Sequence, residues 1–151
     1  MDSQIVEMLG RNHLVGDLIR SGLEVSLPLR DRGVDLIAYV DLISSVPAFR
    51  ARPIQMKAAS SRSFGLDQKY AKFPNLLIAY VWNLDDISKT ATFALTYSEA
   101  FDIMTEMGYT KTPSWERGNY VCTAPGDDLC EHVEKYRMTR DSWWKRVAEE
   151  L

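Results

Sequence analysis

Arg52-Pro53-Ile54-Gln55-Met56-Lys57, read with Gly33-Val34-Asp35-Leu36-Ile37-Ala38-Tyr39 upstream of it, decides the fold. Both runs are apolar and aromatic stretches bounded by breakers, the signature of short strands. The stretch from Val40 to Ile54, with Ser44-Ser45 and Pro47 in it, gives the chain room to reverse, so the two runs are expected to pair antiparallel. Side chains two apart in a strand share a face. Gln55 and Lys57 therefore point one way, and Ile54 and Met56 point into the opposite layer. Asp35, near the start of its strand, can then set its carboxylate beside the Gln55 amide oxygen, with the Lys57 ammonium close by.

Composition limits what else the chain can be. At 151 residues, 46% hydrophobic and 26% charged, it has the size of one domain with a full core, 1–151. No apolar run is long enough to span a bilayer, and Met1-Asp2-Ser3-Gln4 lacks the features of a signal peptide, so a cytoplasmic protein without membrane contact is expected. Cys122 and Cys130, with His132 nearby, are too few for a structural zinc site or a disulfide framework and read as incidental thiols. A net charge of -3 argues against indiscriminate coating of nucleic acid while leaving room for a local basic face.

Residues 2 to about 21 read as a helix capped by Asp2 or Ser3 and stopped by Gly22, with Ile5, Met8, Leu9, Val15 and Ile19 along one face. Asn12 and Gly16 interrupt that face. Asn12, or His13 at its edge, either looks into a cleft or packs the helix, and lone polar residues favour packing. Leu23 to Leu27 alternates as a strand. After Lys57, the small-residue loop Ala58 to Gly65 carries Arg62, which either meets phosphates or is part of a plain connector. Leu66 to Phe73 reads as a short helix bearing Lys69 and Lys72, and Leu76 to Trp82 as a central strand buried on both faces. A strand over 90–96 follows, then a helix capped by Ser98 and Glu99 and ended by Gly108. Tyr120 to Cys122 is a possible edge strand, and helices over 127–136 and from Thr139 close the chain. Trp115, Trp143 and Trp144 could stack on bases or a partner, although core anchoring is the better reading. The result is an α/β fold with a mixed β-sheet flanked by helices.

Asp35, nineteen residues, then Gln55-Met56-Lys57, with a helix before and a helix and strand after, resembles the PD-(D/E)xK nuclease superfamily. Gln55 stands where most members carry Glu or Asp, a variant that a minority share. The resemblance implies a restriction-endonuclease-like αβββαβ core over about 1–83 with an α/β C-terminal extension over about 84–151. It also implies a glutamate in the first helix, where this chain has Arg11. Glu7 and Asp17 are the nearest acids, on the flank away from Asn12, and are expected to be solvated.

The chemistry implied is hydrolysis of DNA phosphodiester bonds with Mg2+ or Mn2+ held by Asp35, the Gln55 side-chain oxygen and the Met56 carbonyl. Lys57 would orient the attacking water or stabilise the transition state, and Arg62, Lys69 and Lys72 would bind nucleic acid. A homodimer or higher homo-oligomer is expected, since cutting both strands needs two active sites. Two other classes stand beside this one. The first is a non-catalytic nucleic-acid- or protein-binding module on the nuclease fold, and the second is a regulatory subunit without nucleic-acid contact.

Overall fold

Asp2 starts the first helix, its side chain accepting the Gln4 N–H at 2.7 Å, and α1 runs Ser3–Arg20. Then come β1 (Glu24–Ser26), β2 (Leu36–Tyr39), β3 (Ala51–Ala58), β4 (Phe64–Asp67), a 3-10 turn (Gln68–Lys72), β5 (Leu77–Trp82) and β6 (Ala91–Leu95). The chain continues through α2 (Tyr97–Glu106), α3 (Pro113–Glu116), β7 (Asn119–Cys122), α4 (Asp127–Glu134) and α5 (Arg140–Trp144), which ends in a π-helical turn (Lys145–Glu149). This computed structural model describes residues 1–42 and 47–150, so the reversal expected at Ser44-Ser45 lies outside the described residues.

The main sheet has the order β1-β2-β3-β5-β6, antiparallel except for the parallel pair β3 and β5. It is a mixed five-stranded sheet flanked by helices, as the sequence predicts. β5 is buried along its whole length because both its faces are covered. On one side Leu14 and Leu18 of α1, with Trp143 and Val147, pack on Leu36, Ile54, Met56, Ala79 and Val81. On the other, Ile78, Tyr80, Phe93 and Leu95 meet Phe64 and Leu66 of β4, Ile103 and Met104 of α2, and Leu129 and Val133 of α4. Trp143 and Trp115 are buried, so these two anchor the core as expected.

The phase of α1 differs from the expected one. Its buried stripe is Val6, Gly10, Leu14 and Leu18, while Ile5, Met8, Leu9 and Ile19 are exposed. Apolar residues occur all round this helix, so their spacing cannot fix which face is inward. Contact with β3 decides it. A Cβ at Gly10 would sit 2.8 Å from the Ala58 Cβ and 3.3 Å from the Met56 Sδ, so the helix backbone lies directly on the strand.

The short helix expected over 66–73 is a 3-10 helix over Gln68–Lys72, and Leu66 and Asp67 before it belong to a strand. Phe64 and Leu66 alternate inward on β4, which pairs antiparallel with β7 in a separate two-stranded sheet, and Asp67 then caps the 3-10 turn by accepting the Lys69 N–H at 2.9 Å. Tyr120 to Cys122 is thus a strand, but not on the edge of the main sheet. The cap of α2 is Thr96 rather than Ser98, in a capping box where Glu99 accepts the Thr96 N–H at 2.8 Å. Beyond residue 83, β6 joins the main sheet and α5 packs on the same layer as α1.

Candidate functional site

β2 and β3 part company at the register pair Leu36↔Ile54. β3 runs on to Ala58 with β5 along one edge, which leaves the other edge of Gln55–Ala58 without a strand partner. Asp35 fills the fork. Its N–H donates to the Ile54 carbonyl at 2.9 Å, and its carboxylate accepts the Met56 N–H through Oδ2 at 2.7 Å. A residue's N–H and C=O lie on the same edge of a strand, so the Met56 carbonyl also faces the fork.

The fork opens into a cleft of about 750 Å³. Asp35, Gln55, Met56 and Lys57 all line it. Glu7 and Ser3 at the start of α1, Asp31 from the loop before β2, and Lys69 and Tyr70 from the 3-10 turn complete its walls. Gln55 pairs in register with Ile78, and Lys57 with Tyr80, which lies in the second core layer; α1 reaches the cleft from the opposite face of the sheet.

Three features give the cleft its electrostatic character. Burial raises the Asp35 pKa above its ordinary 3.8, helped by Asp31 and Glu7 and opposed by the Met56 N–H and Arg11. Lys57 is an exposed residue, yet partial desolvation in the cleft, with Lys69 near it, lowers its pKa against the pull of Asp67 and Asp35. Its ammonium lies 5.9 Å from the centre of the Tyr70 ring, and the Lys69 ammonium 5.2 Å from the same ring. The third feature is Gln55 Oε1, which is buried and has no hydrogen-bond donor among the described residues. A buried amide oxygen without a partner costs about 1–3 kcal/mol, so it is an acceptor awaiting a donor or a cation.

The donor set is all oxygen: the Asp35 carboxylate, Gln55 Oε1 and the Met56 carbonyl. It fits a hard divalent cation, which takes carboxylate, amide and backbone oxygens, and the single firm carboxylate means modest affinity. Among the described residues no group of three or more His, Cys, Asp and Glu side chains is gathered to hold an ion.

The other predicted residues are dispersed. Asn12 is exposed and His13 pairs with Asp17 at 3.1 Å, so neither lines the cleft. The residues of α1 that do are Ser3, Val6 and Glu7, and the observed phase of α1 brings Glu7 to the rim, where it pairs with Arg11 at 3.8 Å. Arg62 turns away: its Nη1 donates to Cys130 Sγ at 3.1 Å in a different cleft, with Asp85 and Asp86. Lys69 is in the cleft, and Lys72 lies in an adjoining pocket. Sequence reasoning missed Tyr70; its position between Lys69 and Lys72, an aromatic among cations, was the available signal. Cys122 and Cys130 are free thiols. No described helix is long and apolar enough to cross a membrane. No family model, curated protein or solved structure matches the chain.

Proposed function

We propose that the chain is a metal-dependent endonuclease acting on DNA, built on a restriction-endonuclease-like core of the PD-(D/E)xK type with Gln in place of the second acid. The observation that carries this reading is the buried Gln55 Oε1, without a donor among the described residues, in a cleft that also holds Asp35 and Lys57. In support, α1, the antiparallel β1-β2-β3 and the parallel β5 supply the expected elements in the expected order. The second core helix is replaced by β4 and the 3-10 turn, a departure that leaves the β3–β5 pairing intact.

Asp35, Gln55 and the Met56 carbonyl would hold Mg2+ or Mn2+, which when bound acidifies a water and neutralises phosphate charge. The Met56 N–H fixes the Asp35 carboxylate by holding its Oδ2. Lys57 points its ammonium into the cleft as a donor for the phosphate oxygens as charge builds on them. Lys69 adds a second cation to draw the phosphodiester backbone in. A homodimer belongs to the same proposal, because one such cleft per chain nicks a duplex and two cut it through.

Asp35→Asn tests the reading with two readouts. The amide can still accept the Met56 N–H, but the charge is gone, so Mn2+-dependent conversion of supercoiled plasmid falls to background. In metal-free buffer at pH 7 the same variant melts higher than wild type. The sign follows from the raised pKa: the folded state holds the Asp35 proton more tightly, so ionising it costs stability at pH values above the folded pKa and nothing below about 3.8, where the gain should vanish. Unchanged cleavage in Asp35→Asn would remove Asp35 from the chemistry. A wild type with no cleavage of DNA or RNA in any divalent metal would leave the binding-module alternative.

A further inference from the structure

Beside the cleft lies a pocket of about 420 Å³ that shares Gly33, Lys69 and Tyr70 with it. Its volume suits a small planar ligand. Its walls are apolar, made by Val34, Pro53, Leu76 and Phe73. Phe73 is 50% exposed on a turn that two hydrogen bonds hold in place, Phe73 N–H to the Tyr70 carbonyl at 3.0 Å and Leu76 N–H to the Phe73 carbonyl at 3.1 Å. An aromatic ring left half in water on a fixed backbone is a ready-made stacking platform. Three cations line the pocket, Arg32, Lys69 and Lys72, and the Lys72 ammonium sits over the Phe73 ring, 5.4 Å from its centre.

Apolar walls, an exposed ring and three surrounding cations match one chemistry, a nucleobase whose flanking phosphates stay at the rim. We infer that this pocket receives an unpaired base next to the phosphate held in the cleft, so that the substrate is nucleic acid with a base outside a continuous duplex. The inference rests on the nuclease reading for the identity of the ligand. The shared Lys69 and Tyr70 make the path from cleft to pocket continuous, so a strand crossing them carries one phosphate past Lys57 and the adjoining base onto Phe73. A base stacked and paired inside a duplex presents only its edges and cannot lay its face on that ring. A single strand offers such a base directly, and a duplex offers one by extruding it.

The test is fluorescence anisotropy without metal, using a labelled single-stranded oligonucleotide, the same strand with an abasic site, a duplex with one bulged nucleotide and a fully paired duplex. Wild type should bind the single strand or the bulged duplex, or both, tighter than the paired duplex. Binding to the single strand alone would identify a strand end or gap as the source, and binding to both would include an extruded base. Phe73→Ala should weaken those complexes about tenfold, in keeping with the loss of one base–aromatic stack, while leaving the paired duplex unchanged as an internal control of folding. Phe73→Tyr should restore affinity, and the loss in Phe73→Ala should disappear at the abasic site. Equal binding of paired and unpaired forms, or equal losses on all four in Phe73→Ala, would overturn the inference. Cleavage of the paired duplex that depends on Asp35 but not on Phe73 would overturn it while sparing the nuclease reading. Stacking that depends on Phe73 in a protein that never cleaves would do the reverse.

Discussion

Lys57→Ala should lower cleavage by about 10²–10³-fold with DNA affinity changed less than about threefold, since one donor aimed at developing charge is worth about that much. Among the described residues Lys57 has no ion pair, so its ammonium is uncommitted and available to a phosphate. Affinity survives because Lys69, Lys72 and Arg32 remain in the cleft and its neighbouring pocket. Lys57→Arg should recover only part of the loss, because a planar guanidinium does not place its donors where a compact ammonium does. The alkaline limb of the wild-type pH profile should fall below the pH at which an ordinary lysine titrates, because burial and Lys69 lower the Lys57 pKa and the ammonium is lost as pH rises through it. Comparing single-turnover rates with filter-binding affinities separates these effects. Equal losses in rate and affinity would make Lys57 a phosphate anchor and nothing more.

Trp143→Ala should cost about 3–5 kcal/mol of stability and lower the melting temperature by about 10 °C, the largest stability effect expected of any single side chain outside the cleft. The indole is 1% exposed and ties the C-terminal helix to α1 beside Leu14, Leu18 and Val147. Its neighbours at the surface, Asp17, Arg20 and Ser21, belong to the C-terminal end of α1, whereas the cleft takes the N-terminal end. The variant should therefore keep its metal affinity wherever it is folded. Trp143→Phe should lose less, since the indole N–H is buried without an acceptor and its removal relieves that cost. A thermal melt with Trp143→Ala within about 1 kcal/mol of wild type would show that α5 is not fixed by this ring.

The parts of the fold legible in the sequence are those set by short-range rules. Gly33 stands before the run that forms β2, Pro53 lies inside the run that forms β3, and the unbroken apolar run of β5 marks the strand with both faces covered. Strand parity in β3 placed Gln55 and Lys57 apart from Ile54 and Met56, and that pattern holds. The parts that were not legible depend on contacts far along the chain. β4 has only two inward residues, Phe64 and Leu66, too short an alternation to outweigh Gln68-Lys69-Tyr70-Ala71-Lys72, and its partner β7 lies more than fifty residues on. Gly10 belongs to the core only because Ala58 lets the helix approach, which no periodicity along α1 can reveal. The site follows the same division. In the candidate site, Asp35, Gln55 and Lys57 are readable from the strand pattern; Glu7 in place of Asn12 follows from the phase of α1, and Tyr70 from a 3-10 helix whose side chains fan out differently from those of an α-helix.

The most direct measurement of the central claim, a cation held by Asp35 and the Gln55 oxygen, is calorimetric titration of wild type, Gln55→Glu and Asp35→Ala with Mn2+ in the absence of nucleic acid. Gln55→Glu keeps the side-chain length and adds a charge beside Asp35, so it should bind tightest, with wild type next and Asp35→Ala weakest. Cleavage need not follow the same order, because an added carboxylate also draws on Lys57 and offsets part of the ion's effect on water. That ranking, with Gln55→Glu at least about tenfold tighter than Asp35→Ala, is the predicted result, and three indistinguishable isotherms would contradict it.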